Sequence, residues 1–139
     1  MAAPEDLVRQ QLQAYNSHDS QAWGNGYAAN AVLHDPQHPE PLRGREAITK
    51  DIEDFFRAFP DTRFQESNVL ISGDRIALEG TATGTHQGPM EGPGGTIPPT
   101  NKRAESAMAI FLQLDNEGRI AEERRYYDQV SFLMQLGVM

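Results

Sequence analysis

The chain has 139 residues, with 12 Lys and Arg against 20 Asp and Glu, a formal charge of −8, and no cysteine. A chain of this length supports one sizeable core rather than two, so residues 1–139 are expected to form a single domain. The acidic balance argues against nucleic acid or an anionic membrane as partner, and the missing cysteines remove disulfides, thiolate nucleophiles and cysteine-rich metal sites. The N-terminus has no signal-peptide pattern and the longest apolar run, Ala107 to Leu112, is too short to span a bilayer, so a cytoplasmic protein is expected.

In chain order, Val8, Leu12 and Tyr15 recur at helical spacing and predict a first helix over Pro4–Ser17. Asp19 or Ser20 caps a short second helix that should hold Trp23 and Tyr27. Ala31–Asp35 predicts a strand closed by Pro36, and His38–Gly44 a loop. Ile48, Ile52, Phe55, Phe56 and Phe59 restore the helical period from Arg45, and Pro60 ends it. The period then shortens towards 2. Strands are predicted over Arg63–Ser72, Asp74–His86, Arg103–Leu114 and Arg119–Asp128, with turns at Ser72-Gly73-Asp74 and Asp115-Asn116-Glu117-Gly118. Residues 88–99, rich in Gly and Pro, predict an irregular loop beside a pocket mouth. A final short helix spans Gln129–Leu136. This order predicts an α+β fold: a curved antiparallel sheet with three N-terminal helices on one face, enclosing one pocket.

Alternation on the last strand puts Ile120, Glu122, Arg124, Tyr126 and Asp128 on one face. If that face is concave, it brings an acid, a base and a phenol into the pocket. His86 ends a strand whose other face residues are apolar or small, which places it at the open end of a buried face. His34 and Asp35 sit at a strand end, suited to the pocket rim. His34 and His38 do not make a metal site, because Pro36 breaks any helical spacing between them and further ligands are missing. Trp23, Phe56 and Met108 are core residues and candidate pocket walls.

Several short motifs occur in a fixed order: His34-Asp35-Pro36, Ala58-Phe59-Pro60-Asp61, Gly84-Thr85-His86-Gln87-Gly88, Pro98-Pro99-Thr100, Tyr127-Asp128 and Gln135-Leu136-Gly137. Together they resemble the SnoaL-like polyketide cyclases, or ester cyclases, of the nuclear-transport-factor-2-like superfamily, over about Leu7 to Gly137. The resemblance implies a cone-shaped α+β barrel with a deep apolar pocket and chemistry without cofactor or metal. It also implies an acid/base aspartate at the end of the last long strand, which falls on Asp128. The chain departs from the family at Glu79, where Arg is common, and at Arg124, where Trp is common.

The implied activity is an aldol-type ring closure of a polyketide-like small molecule. Abstracting a proton α to a carbonyl needs a carboxylate base and a donor for the enolate oxygen. Asp128 is the expected base, with Tyr126 or His86 as donor. His34, Asp35, Trp23, Phe56, Met108, Glu122 and Arg124 are the expected substrate contacts. The alternatives are epoxide opening or isomerisation in the same pocket, and a non-catalytic binding module. Apolar residues on both faces of Arg103–Leu114 predict cover on both faces, and hence a homodimer.

Overall fold

The computed structural model describes residues 3–92 and 94–139. The first helix, α1 (Pro4–Asn16), starts with Pro at its first turn and acids at Glu5 and Asp6, which suit a helix N-terminus. α2 (Ser20–Asn25) is capped by Asp19, whose carboxylate accepts from the Ala22 N–H at 3.0 Å. Tyr27 does not continue this helix as expected. Gly24 and Gly26 end it, and Tyr27 opens β1 (Tyr27–His34), a longer strand than the sequence predicts. Arg45 fixes that start by donating from Nε and Nη2 to the Tyr27 carbonyl at 2.9 and 2.8 Å.

A short β2 (Leu42–Arg43) lies in the expected loop, followed by α3 (Arg45–Ala58). β3 (Arg63–Ser72), β4 (Arg75–Thr85), β7 (Arg103–Leu114) and β8 (Ile120–Tyr127) match the predicted strands to within two residues at each end. The segment expected to be irregular instead carries a hairpin of β5 (Met90–Gly92) and β6 (Gly95–Ile97). α4 (Gln129–Gln135) closes the chain.

The main sheet has the order β2-β1-β8-β7-β4-β3. Its pairs are antiparallel except β1 with β8, which is parallel, so the purely antiparallel expectation is corrected at that seam. The last strand enters between the first strand and β7, and α1, α2 and α3 cover the concave side. Gly80 permits the close approach of β3 to β4: a Cβ there would meet the Phe64 ring at 2.4 Å. Opposite it, the register shifts between Glu66 and Asn68, which bends the long strands.

Side-chain-to-backbone clasps tie the helices to the sheet. The Asn16 amide makes two bonds to the Phe64 backbone, at 2.8 and 3.0 Å. The Gln135 amide does the same to Glu105, at 2.8 and 2.9 Å. Leu136 is fully buried, and Gly137 takes a positive φ of 75° to end α4. Phe59, Phe132, Leu136 and Met90 belong to one core cluster, and Tyr27, Leu33, Ile48 and Ile120 to another. Among the described residues, no helix is long and apolar enough to cross a membrane.

Candidate active site

A cavity of about 560 Å³ lies between the helices and the concave face of the sheet. Its walls are mostly apolar and aromatic: Leu12, Trp23, Phe55, Phe59, Met108 and Ile110 all reach it. Pro89 and Met90 of the hairpin also line it, so the Gly/Pro-rich segment does border the cavity, as an ordered hairpin. The volume suits a small organic molecule.

Polar groups gather on one wall, where β1 ends beside β8. The sequence ends β1 at Pro36, and Asp35 stands just before it. The Gln37 N–H donates to Asp35 Oδ1 at 2.8 Å and the His38 N–H to the Asp35 carbonyl at 3.0 Å, so a tight turn fixes the carboxylate. Tyr127 donates its hydroxyl to Asp35 Oδ1 at 2.6 Å, and Arg125 Nη1 donates to Asp35 Oδ2 at 3.1 Å. Arg125 Nε donates to Glu123 Oε2 at 2.5 Å, and the Tyr27 hydroxyl donates to Glu123 Oε1 at 2.5 Å. One continuous chain of hydrogen bonds thus runs Tyr27–Glu123–Arg125–Asp35–Tyr127. Its charged members are nearly dry, with side-chain exposures of 3% for Glu123, 13% for Arg125 and 9% for Asp35.

The electrostatics follow from that arrangement. Burial pushes the Asp35 pKa up, but the Arg125 guanidinium, the Tyr127 hydroxyl and the Gln37 N–H together outweigh it and hold the carboxyl below its usual range. Burial and the Asp35 charge push the Tyr127 phenol well up, so it is a donor and not an acid at neutral pH. Burial pushes the Tyr15 phenol up to about 12, and its hydroxyl pairs with Thr62 Oγ1 at 2.8 Å. Beside Asp35, His38 Nε2 lies 2.9 Å from Asp51 Oδ1 of α3; that hydrogen bond raises the His38 pKa against the opposing effect of burial.

Of the expected site residues, Asp35, Trp23 and Met108 line the cavity. Glu122, Arg124, Tyr126 and Asp128 do not. Between Gln113 and Leu114 the β7–β8 register shifts, so Ile120 and Glu123 share the inner face and the parity of the strand inverts. Glu122 and Arg124 pair with each other at 3.2 Å on the outer face, and His34 meets Glu122 at 3.2 Å there, so His34 is also off the rim. Tyr126 is 55% exposed and packs edge-on against Phe111 outside. Asp128 is exposed and spends its carboxylate capping α4, accepting from the Ser131 N–H at 2.9 Å. The base expected there is displaced from the cavity by this capping role.

His86 is fully buried but lies off the cavity wall. It stacks on Phe59 and its Nδ1 accepts from the Thr100 N–H at 3.3 Å, so it clamps the base of the 86–102 segment. Burial holds its pKa down, which keeps the ring neutral. Phe56 packs with Tyr15, Ile52 and Leu78 behind the wall rather than on it. Glu79, a departure from the family pattern, is exposed and meets Asn68 at 3.2 Å, outside the cavity like Arg124. The residues that do reach the cavity, Glu123, Arg125 and Tyr127, lie by alternation on the face of the strand opposite Glu122, Arg124 and Tyr126.

Among the described residues, no group of three or more His, Cys, Asp or Glu is placed to hold a metal ion. The site is a wall of hydrogen-bonded carboxylate, guanidinium and phenol groups in a mostly apolar cavity.

The family model of the SnoaL-like polyketide cyclases matches residues 5–136. IdmH from Streptomyces antibioticus, a candidate polyketide cyclase, is 31% identical; the match covers 99% of this chain and 100% of that one, with a TM-score of 0.76. A Catenulispora acidiphila protein of ketosteroid isomerase-like fold, solved with trimethylamine, is 22% identical over 99% of this chain and 96% of that one, with a TM-score of 0.79. SalBIII, an epoxide hydrolase/cyclase-like enzyme of pyran ring formation in the polyether salinomycin, is 18% identical over 92% of both chains, with a TM-score of 0.76. No curated protein matches the sequence. With the cone of sheet and helices in place and the family match running through nearly its whole length, the chain belongs to the SnoaL-like polyketide cyclase family.

Proposed function

We propose that this protein closes a ring in a polyketide-like substrate by cofactor-independent aldol chemistry, with Asp35 as the base. The observation that carries this reading is an ionised, nearly dry carboxylate on the wall of a largely apolar cavity. Asp35 takes a proton from a carbon α to a carbonyl, and the bond electrons become the enolate. Tyr127 and Arg125 hold the carboxylate in one orientation, so its free edge meets the substrate without reorganisation. The aromatic walls fold the flexible chain so that the enolate carbon reaches the second carbonyl.

The sole tryptophan, Trp23, lines the cavity and reports binding by its fluorescence. With 2-tetralone as probe, the protein should quench Trp23 and accelerate exchange of the α-protons in D2O, read by NMR. Asp35→Asn should keep the quenching and lower the exchange at least ~10²-fold. Wild-type protein that binds 2-tetralone and leaves exchange at the buffer rate would make this a binding module.

A second reading, ring closure by hydroxyl attack on an epoxide, is favoured by one feature: Arg125 bridges two carboxylates, Asp35 and Glu123, on the same wall. Opening of cyclohexene oxide with no exchange of 2-tetralone would select it. We further propose a cytoplasmic homodimer formed through the outer sheet face, supported by the exposed side chains of Leu70, Phe111 and Tyr126 there.

A further inference from the structure

We propose that His38, held by Asp51, is the general acid of the site and protonates the oxygen of the attacked carbonyl while Asp35 takes the α-proton. The proposal rests on the aldol reading above and extends it to a second catalytic residue.

The placement carries it. Asp35 and His38 leave a single turn, closed by the His38 N–H on the Asp35 carbonyl at 3.0 Å, and both side chains line the same cavity. Asp51 reaches over from α3, and its Oδ1 lies 2.9 Å from His38 Nε2. A carboxylate only accepts, so Nε2 carries the proton of that bond. Nδ1 is then the exchangeable position, and among the described residues it has no hydrogen-bond partner. The ring is about one-third exposed, at 32%, so a substrate or a water can reach it. A carboxylate that orients a histidine and supports its charged form is a general device for making the ring a proton-transfer group.

The two groups are also pushed in opposite directions. Asp35 is held down, by its donors against burial, and stays ionised. His38 is held up, first by the Asp51 hydrogen bond and then by the Asp51 and Asp35 charges, against burial and Arg125. Tyr15 of α1, Tyr27 of β1, Lys50, Asp54 and Arg57 of α3, Glu91 of β5, and Glu123 and Tyr127 of β8 are the other ionisable groups on the wall. Paired groups with separated pKa values divide into base and acid at one pH.

The step balances. Asp35 takes the α-proton, and the C–H electron pair becomes the enolate. The enolate carbon bonds to the second carbonyl carbon, whose π pair moves to oxygen. That oxygen takes the proton from His38 Nδ1. Solvent then carries the proton on Asp35 back to His38, and no other reactant is consumed.

Two probes separate the roles. Exchange of 2-tetralone needs a base; closure of 2,6-heptanedione to 3-hydroxy-3-methylcyclohexanone needs a base and an acid. In the wild type, closure should fall as pH rises through the His38 pKa. His38→Gln, which keeps a donor for Asp51, should lower closure at least ~10²-fold, reduce exchange far less, and remove that alkaline limb. Asp51→Asn should move the limb to lower pH, a shift that a merely structural contact would not produce. Quenching of Trp23 by 2-naphthol checks that each variant keeps its cavity. If exchange is catalysed but closure is absent, or closure survives in His38→Gln with its pH profile intact, the assignment of His38 is overturned and the Asp35 base stands. If wild type catalyses neither probe, the aldol reading and the acid both fall.

Discussion

Arg125 is the residue on which the polar wall depends. It lies between Asp35 and Glu123, and removing it leaves two nearly dry carboxylates without a cation. Breaking a buried pair from one side costs about 3–5 kcal/mol, whereas the intact pair gains little over an apolar replacement of both partners. Arg125→Met should therefore lower stability by roughly that amount at pH 7, read from urea unfolding. The pH dependence has a definite sign. In the native protein the Asp35 carboxyl sits below the ordinary 3.8, so its contribution is present above that pH and is lost as pH falls through the folded value. Without Arg125 the effect of burial on Asp35 is opposed only by Tyr127 and Gln37. Asp35 then takes up a proton more readily, and the gap between variant and wild type should narrow as pH falls towards the carboxylate range. A gap that widens on acidification would show that the guanidinium is not what compensates Asp35. At this scale the sequence was half legible. Asp35 stood out as a polar residue before a strand-ending proline. The parity of β8 did not, because the shift near Leu114 is set by pairing with β7 and β1, not by any local residue pattern, and one extra residue turns every later side chain to the other face.

At the scale of elements, several of the motif residues that reveal the family join helices, hairpin and sheet rather than line the cavity. Asp61 accepts from the Thr85 N–H at 2.7 Å and from the Thr85 hydroxyl at 2.8 Å, and these bonds hold its carboxyl below the usual range. Thr100 bonds to His86, and Gln135 clasps Glu105. This is why the family and fold were readable from motif spacing while the polar wall was only partly so. Many motif residues mark joints between helices, hairpin and sheet, and although Asp35 and Tyr127 fall in motifs, Glu123 and Arg125 do not. Gly88 is the clearest joint. Gln87 and Gly88 both donate to the Ala58 carbonyl at 3.0 Å, and a Cβ on Gly88 would sit 2.2 Å from the Arg57 carbonyl oxygen. That atom is backbone near the end of α3 and has little freedom to yield. Gly88→Ala should cost about 1–3 kcal/mol and weaken 2-naphthol quenching of Trp23, because Pro89 and Met90 move with the joint. Gly94→Ala, with no described atom within 4 Å of its added Cβ, should stay within about 0.5 kcal/mol of wild type. Equal thermal shifts for the two variants would mean that the hairpin is not anchored through Gly88.

At the scale of the whole molecule, the cavity consumes one face of the sheet and leaves the other bare. On β7, Met108, Ile110 and Leu112 line the cavity, while Phe111 is 50% exposed on the opposite face. The cross-strand register lines up Leu70, Ala77, Phe111 and Arg124 as one row across that outer face, with Tyr126 meeting the Phe111 ring edge-on at 6.0 Å. His34, Glu122 and Arg124 flank it with mixed charges. An apolar centre with charges of both signs at its side is self-complementary under a two-fold axis, which brings the same patch against itself. Phe111→Glu would place two acids face to face at the middle of that contact. Sedimentation should find wild type as a dimer at micromolar concentration and Phe111→Glu as a monomer with its Trp23 still quenched by 2-naphthol, since the outer face does not touch the cavity. A wild-type monomer under those conditions would rule out the dimer, and the bare face would then need another explanation.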